Sequence, residues 1–288
     1  MTTNWADRVC SSTDKYGPLV LGIDPILADM PVFFKDSLGD YAACLLEVAQ
    51  GQVGIVKFQS AFFEAGGPEG VAALAQAMQY ARSMGFGIIL DAKRGDIGST
   101  ANAYARAYLT PGQSALEADC LTVNPYLGPE TLDPFVHCVT QYGKGIFVLV
   151  KTSNPGSAWL QDLKADGQRI CDHVALLLAE LGETTKGTEG LSSVGAVIGA
   201  TWSEDTKHLR KLMPNNLFLS PGLGAQGGQL DSLKSLAIND DPKNRAKGLL
   251  VPVSRGISKT GHSDITLDDY RSLVARRITQ FRADLDWS

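Results

Sequence analysis

The sequence predicts an α/β fold, a closed (β/α)8 TIM barrel, from two observations of pattern and one of length. Eight short apolar runs recur along the chain, and helical periodicity fills the gaps between them. The 288 residues modestly exceed the roughly 250 that such a barrel takes. The runs lie at 19–24, 53–57, 87–91, 120–124, 146–150, 194–199, 217–220 and 249–254. Each is nearly continuous in apolar residues, which marks strands buried on both faces of a parallel sheet.

The intervening segments carry the other period. The stretch 40–50 is amphipathic, with mixed helical periodicity. Ile170, Val174, Leu177, Leu178 and Leu181 recur at helical spacing, as do Leu267, Tyr270, Leu273, Val274 and Ile278. Alternating strands and helices make βαβ units. Eight such units favour a closed barrel over an open doubly wound sheet. One domain is expected over 1–288, with an N-terminal helical extension ahead of the first strand. Pro252 has no N–H for a ladder bond, so it is expected at a bulge or near a strand end. The polar stretches 182–190 and 239–245 read as solvated loops rather than domain boundaries.

Composition narrows the function classes. The chain is 44% apolar and 20% charged, with a net charge of −5, which argues against nucleic acid or an anionic membrane as the main partner. An anionic ligand therefore has to be captured by a local cluster. The five cysteines are scattered and odd in number, so neither a disulfide framework nor a zinc site is expected. The N-terminus lacks a signal-peptide pattern. No apolar run approaches the roughly 18 residues of a membrane helix, and a cytoplasmic protein is expected.

Charge collects at the strand ends, where barrels of this kind place their active sites. Asp24 closes the first run, Lys57 the second and Asp91 the third, with Lys93 just beyond. Residues two apart in a strand point the same way, so Asp91 and Lys93 project together. Asp96 follows in a Gly-flanked turn. Ordinary ion pairing accounts for any one of these residues; four on three consecutive strand ends indicate a functional array. Unit charges 4 Å apart interact by about 4 kcal/mol at an effective dielectric of 20, enough to hold alternating amines and acids in place.

Residues 220–228 are Gly-rich and follow the seventh run, and Ser254-Arg255-Gly256 follows the eighth. The loops after strands seven and eight are the usual phosphate site of this fold. Backbone N–H groups and an arginine fork suit that anion. Ser153 follows the fifth run, where a turn or cap serine is the plainer reading and a contact to a polar heterocycle the functional one. His137, His173, His208 and His262 show neither triad nor metal-ligand spacing. No Walker motif and no Gly-x-Gly-x-x-Gly opening a helix is present, which weakens a nucleotide-cofactor reading.

The segment Asp91-Ala-Lys93-Arg-Gly-Asp96-Ile-Gly-Ser-Thr100 resembles the signature of the orotidine 5′-monophosphate decarboxylase family. Asn124-Pro125-Tyr126-Leu127-Gly128, Thr152-Ser153-Asn154-Pro155 and the chain length resemble its longer bacterial branch. The resemblance implies a barrel that dimerises with shared active sites, uses no metal and no organic cofactor, and makes uridine 5′-monophosphate. It implies that Lys93 protonates C6 of the pyrimidine, and that Asp91 orients Lys93 beside the departing carboxylate. Lys57 joins this array and, with Asp24, meets ribose hydroxyls. Asp96 and Thr100 enter the neighbouring subunit's site. Ser153 reads the pyrimidine, while Gln226, Arg255 and the Gly256 N–H hold phosphate. One rival is a magnesium-dependent sugar-phosphate decarboxylase or aldolase of the same barrel group, which has an acid where Lys57 stands. A non-catalytic phosphate-binding scaffold is the other.

Overall fold

The computed structural model describes residues 4–200, 203–223, 230–238, 246–261 and 265–287. Eight parallel strands form the barrel: β1 (Leu19–Ile23), β2 (Ile55–Gln59), β3 (Gly87–Arg94), β4 (Cys120–Val123), β5 (Gly145–Lys151), β6 (Ser192–Ile198), β7 (Asn216–Leu219) and β8 (Leu249–Val253). Each pairs with the next, and β8 closes on β1 through Leu19↔Val251, Val20↔Pro252 and Leu21↔Val253. All eight apolar runs are strands. The three helical patterns are the helices Leu38–Ala49, Ile170–Glu183 and Leu267–Asp284.

Two strands run further than their apolar cores suggest. β2 continues to Gln59, which places Lys57 inside the strand instead of at its end. β3 continues through Asp91 and Lys93 to Arg94. Pro252 lies one residue before the end of β8, in regular register with Val20. The proline therefore sits near the strand end, with no bulge against β1.

Two apolar layers explain the continuous runs. Leu21, Val56, Ile88 and Val148 point outward into the layer beneath the helices. Val20, Ile55, Ile89, Phe147, Leu217 and Leu250 fill the barrel interior. The helix Trp5–Tyr16 plugs the N-terminal mouth, where Trp5 is 1% exposed. Its ring fits because Gly87 and Gly145 open their strands without side chains. A Cβ on Gly145 would lie 2.1 Å from the indole. Gly145→Ala is expected to destabilise the fold by about 1–3 kcal/mol, the usual scale of overpacking, read as a lower midpoint in denaturant.

The stretch 182–190 is more tightly held than a solvated loop. The Asp7 carboxylate accepts from the backbone N–H groups of Thr188 and Glu189, both at 3.0 Å, which ties the segment to the N-terminal helix. The stretch 239–245 lies outside the described residues. All five cysteines are buried free thiols. Among the described residues, no helix is long and apolar enough to cross a membrane.

Candidate active site

A cavity of about 410 Å³ opens at the C-terminal ends of the strands. Asp24, Lys57, Asp91, Lys93, Ser153, Arg255 and Gly256 all line it. Residues separated by more than 230 positions thus meet because each ends, or nearly ends, a neighbouring strand.

Asp91 is the hub. It is 8% exposed, and Lys57 beside it is 5% exposed. The Lys57 ammonium donates to Asp91 Oδ2 at 3.0 Å, and the Lys93 ammonium to Oδ1 at 2.6 Å. Thr122 Oγ1 also donates to Oδ1 at 2.9 Å, and Gln59 Nε2 to Oδ2 at 3.3 Å. Lys57 reaches a second acid, Asp24, at 3.8 Å. Burial alone pushes the Asp91 carboxyl up, but the Lys57 and Lys93 charges outweigh it and hold the group well below the usual carboxylate range. Burial pulls Lys57 down, yet Asp91 and then Asp24 overcome that and raise it above an ordinary lysine. Both members stay ionised at neutral pH.

The end of β3 is bent to achieve this. Leu90 pairs with Leu121 and Arg94 with Val123, so three residues of β3 oppose Thr122 alone. Lys93 takes φ +48°, in the left-handed region that side chains rarely adopt. Its backbone N–H donates to Thr122 Oγ1 at 2.9 Å. Arg94 ion-pairs with Glu64 and lies over the rings of Tyr104 and Tyr108, at 5.7 and 5.6 Å. Gly95 follows against Asn124, whose carbonyl a Cβ would meet at 2.6 Å.

The far wall is mixed. Leu149, Val197, Leu219 and Pro252 give an apolar side, and Thr152, Ser153 and Asn154 a polar one. Gln161 fixes that polar loop, accepting from the Thr152 N–H at 2.9 Å and donating to its hydroxyl at 2.8 Å. Ser153 packs against Gly199, where a Cβ would lie 2.7 Å from the serine Cα. Arg255 and Gly256 open the short helix Arg255–Ser258 at the cavity edge. Gln226 lies outside the described residues.

Asp96 and Thr100 do not join their own chain's cavity among the described residues. Asp96 Oδ1 accepts from the Ile97 N–H at 2.8 Å. Thr100 is exposed in the first turn of the helix Gly98–Leu109. Two lining residues that donate to Asp91 escaped the reading of the sequence. Gln59 follows Lys57 on the same face of β2, and Thr122 sits within an apolar run. The period of two flags Gln59; no local signal flags Thr122.

The donor set bears on metal binding. Asp24 and Asp91 share the Lys57 ammonium, so a divalent cation between them would have to displace a buried, raised-pKa amine. Among the described residues, no group of three His, Cys, Asp or Glu side chains is placed to hold a metal ion.

A closed parallel barrel with a lysine–carboxylate array at its C-terminal rim has the layout of a barrel enzyme acting on a small charged substrate. The profile of the orotidine 5′-phosphate decarboxylase / HUMPS family matches residues 17–267, and the chain belongs to that family. A Rhodopirellula baltica orotidine 5′-phosphate decarboxylase is 43% identical, covering 75% of this chain and 76% of its own. That of Caldicellulosiruptor bescii is 37% identical, covering 93% and 94%. The solved structure of Leishmania donovani OMP decarboxylase has a TM-score of 0.76 at 29% identity, covering 99% of this chain and all of its own (100%).

Proposed function

We propose that this chain converts orotidine 5′-monophosphate to uridine 5′-monophosphate and CO2 in pyrimidine nucleotide synthesis in the cytoplasm, with neither metal nor organic cofactor. The observation that carries the reading is the Lys57–Asp91–Lys93 chain of charges facing an apolar wall. Breaking the bond from C6 to the carboxylate releases CO2 and leaves the electron pair on a ring carbon with no conjugated sink. The fixed Lys93 ammonium stabilises that charge as it develops and then transfers a proton to C6; preorganised electrostatics of this kind is often the largest catalytic contribution. In this reading Asp91, which accepts from the Lys93 ammonium, both aims Lys93 and meets the departing carboxylate.

The remaining contacts orient the nucleotide. Asp24 lines the cavity beside Lys57, a carboxylate suited to accept from a ribose hydroxyl. Ser153 addresses the pyrimidine. Arg255, the Gly256 N–H and Gln226 hold the phosphate, whose binding energy is remote from the breaking bond and can be expressed in the transition state. Gly199→Ala pushes on Ser153 and is expected to lower kcat/KM about tenfold or more by displacing a positioned group, with far-UV circular dichroism unchanged.

The deciding test follows absorbance of the purified protein with orotidine 5′-monophosphate in EDTA, with the product identified by mass spectrometry. Uridine 5′-monophosphate is the expected product. Activity that appears only with added magnesium and a sugar phosphate would move the chain to the metal-dependent branch. Tight nucleotide binding without turnover would make it a scaffold.

A homodimer with shared sites completes the proposal. Asp96 and Thr100 stand outside their own cavity, and Ile97, Tyr126 and Leu127 beside that rim are 60%, 74% and 49% exposed, which suits burial against a second copy. Lys93→Ala and Asp96→Ala homodimers are each expected to be nearly inactive. Reassembled from an equal mixture, half the dimers are hybrids with one intact site of two, so about a quarter of wild-type activity returns under two-fold symmetry. No recovery after verified subunit exchange would place Asp96 in its own chain's chemistry.

A further inference from the structure

We propose that Thr122 is a positioning residue: its single hydroxyl couples the Asp91 carboxylate to the backbone of Lys93 and so holds the lysine in its strained, productive conformation. The proposal rests on the reading above, in which Asp91 and Lys93 do the chemistry.

Three independent features meet at this hydroxyl. The register shift sets Thr122 alone against Asp91, Ala92 and Lys93, so one side chain on β4 can reach both ends of the irregularity. The hydroxyl then uses both its capacities. It accepts from the Lys93 N–H at 2.9 Å and donates to Asp91 Oδ1 at 2.9 Å. Its donation has one direction only, because the N–H must donate and the ionised carboxylate must accept. Finally, Thr122 is 1% exposed, so water cannot readily replace it in the bridge.

The bridge matters because Lys93 is held at φ +48°. A non-glycine residue in a sparsely populated backbone region persists only where its surroundings over-determine it. On the outer side of the strand, Arg94 is fixed by Glu64 and two tyrosine rings. On the inner side, the Thr122 hydroxyl fixes the Lys93 amide. The lysine between them has no freedom to relax its backbone without breaking one of the two. The same oxygen occupies one lone-pair direction of Asp91 Oδ1, leaving Lys93 Nζ its defined place on that atom.

Val and Thr have nearly the same shape, so Thr122→Val removes the bridge with little change in volume, and Thr122→Ser restores the hydroxyl. Thr122→Val is expected to lower kcat about 10- to 100-fold, the scale of a catalytic group displaced by a fraction of an ångström to an ångström. Its dissociation constant for uridine 5′-monophosphate should stay within about twofold, because the loss is confined to the reacting centre. Thr122→Ser should recover most of kcat, and Thr122→Ala takes the place of Val where that variant does not fold. An unchanged kcat in the hydroxyl-free variants, or a Ser variant as slow as Val, overturns the proposal. So does a loss of product binding that matches the loss of kcat. If the wild-type protein fails to turn over the nucleotide, the function reading falls, and crystal structures of wild type and variant test the bridge alone. Lys93 leaving positive φ in the hydroxyl-free variant supports it; an unmoved Lys93 backbone overturns it.

Discussion

Lys93→Ala is expected to lower kcat with orotidine 5′-monophosphate by about 10⁴-fold or more, because the change removes a proton donor and a preorganised charge together; each such contribution is commonly worth about 10²- to 10⁴-fold. The ammonium sits 2.6 Å from Asp91 and its side chain is 44% exposed to the cavity. It is held at one end and presented at the other. Deleting it takes one cation from the buried Asp91, but Lys57, Thr122 and Gln59 still donate to that carboxylate, so folding should change little. Uridine 5′-monophosphate should still bind, since the proposed phosphate and ribose contacts come from other strands. Lys93→Arg should not restore the rate: a guanidinium keeps the charge but gives up no proton at neutral pH, and its planar fork does not fit a point-charge site. Single-turnover rates within tenfold of wild type for Lys93→Ala would remove Lys93 from the chemistry.

Much of the barrel is legible in the sequence because a parallel strand covered on both faces must be apolar throughout. The runs containing Val148 and Phe147, or Ile88 and Ile89, alternate between outer layer and barrel interior without a polar break. What misleads is charge inside a strand. Lys57 reads as a terminator, yet β2 continues to Gln59, because the top layer of the barrel interior is the active site and accepts charge when it is paired. The signature around Asp91 is legible as chemistry but not as geometry. Its bulge exists only relative to β4, and no local pattern counts residues across a pair of strands. Thr122 is hidden for the same reason: a threonine in an apolar run reads as strand filler until its two hydrogen bonds are seen. The role proposed for Asp96 depends on a second chain. Gln226 and the stretch 239–245 lie outside the described residues. The loop at 182–190 looked solvated from composition alone; its anchor, Asp7, lies about 180 positions away.

Asp91→Asn separates stability from catalysis. The substitution keeps the shape of the side chain but leaves Lys57, 5% exposed, with Asp24 at 3.8 Å as its remaining acid. Removing one partner of a fully buried ion pair costs about 3–5 kcal/mol. The cavity admits water to this pair, so a loss of about 2–3 kcal/mol at pH 7 is expected. The sign of its pH dependence follows from the direction of the shift. Asp91 is depressed in the folded state, so its contribution is complete above the unfolded carboxyl value of about 3.9 and is lost as pH falls below it toward the folded value. Denaturation at pH 7 and at pH 3 should therefore show the gap between wild type and Asp91→Asn narrowing in acid. A gap that widened in acid would mean that Asp91 is not held ionised. In turnover the same variant should be slow, because Lys93 loses its aim, and the direction of KM carries further meaning. If the Asp91 charge repels the substrate carboxylate, Asp91→Asn binds substrate more tightly while kcat falls, the pattern left when ground-state strain is removed. If Asp91 acts only by holding Lys93, kcat falls with KM unchanged. Tighter binding with a lower rate would show that the buried carboxylate opposes the substrate as well as orienting the lysine, and would account for an acid kept ionised against its own desolvation.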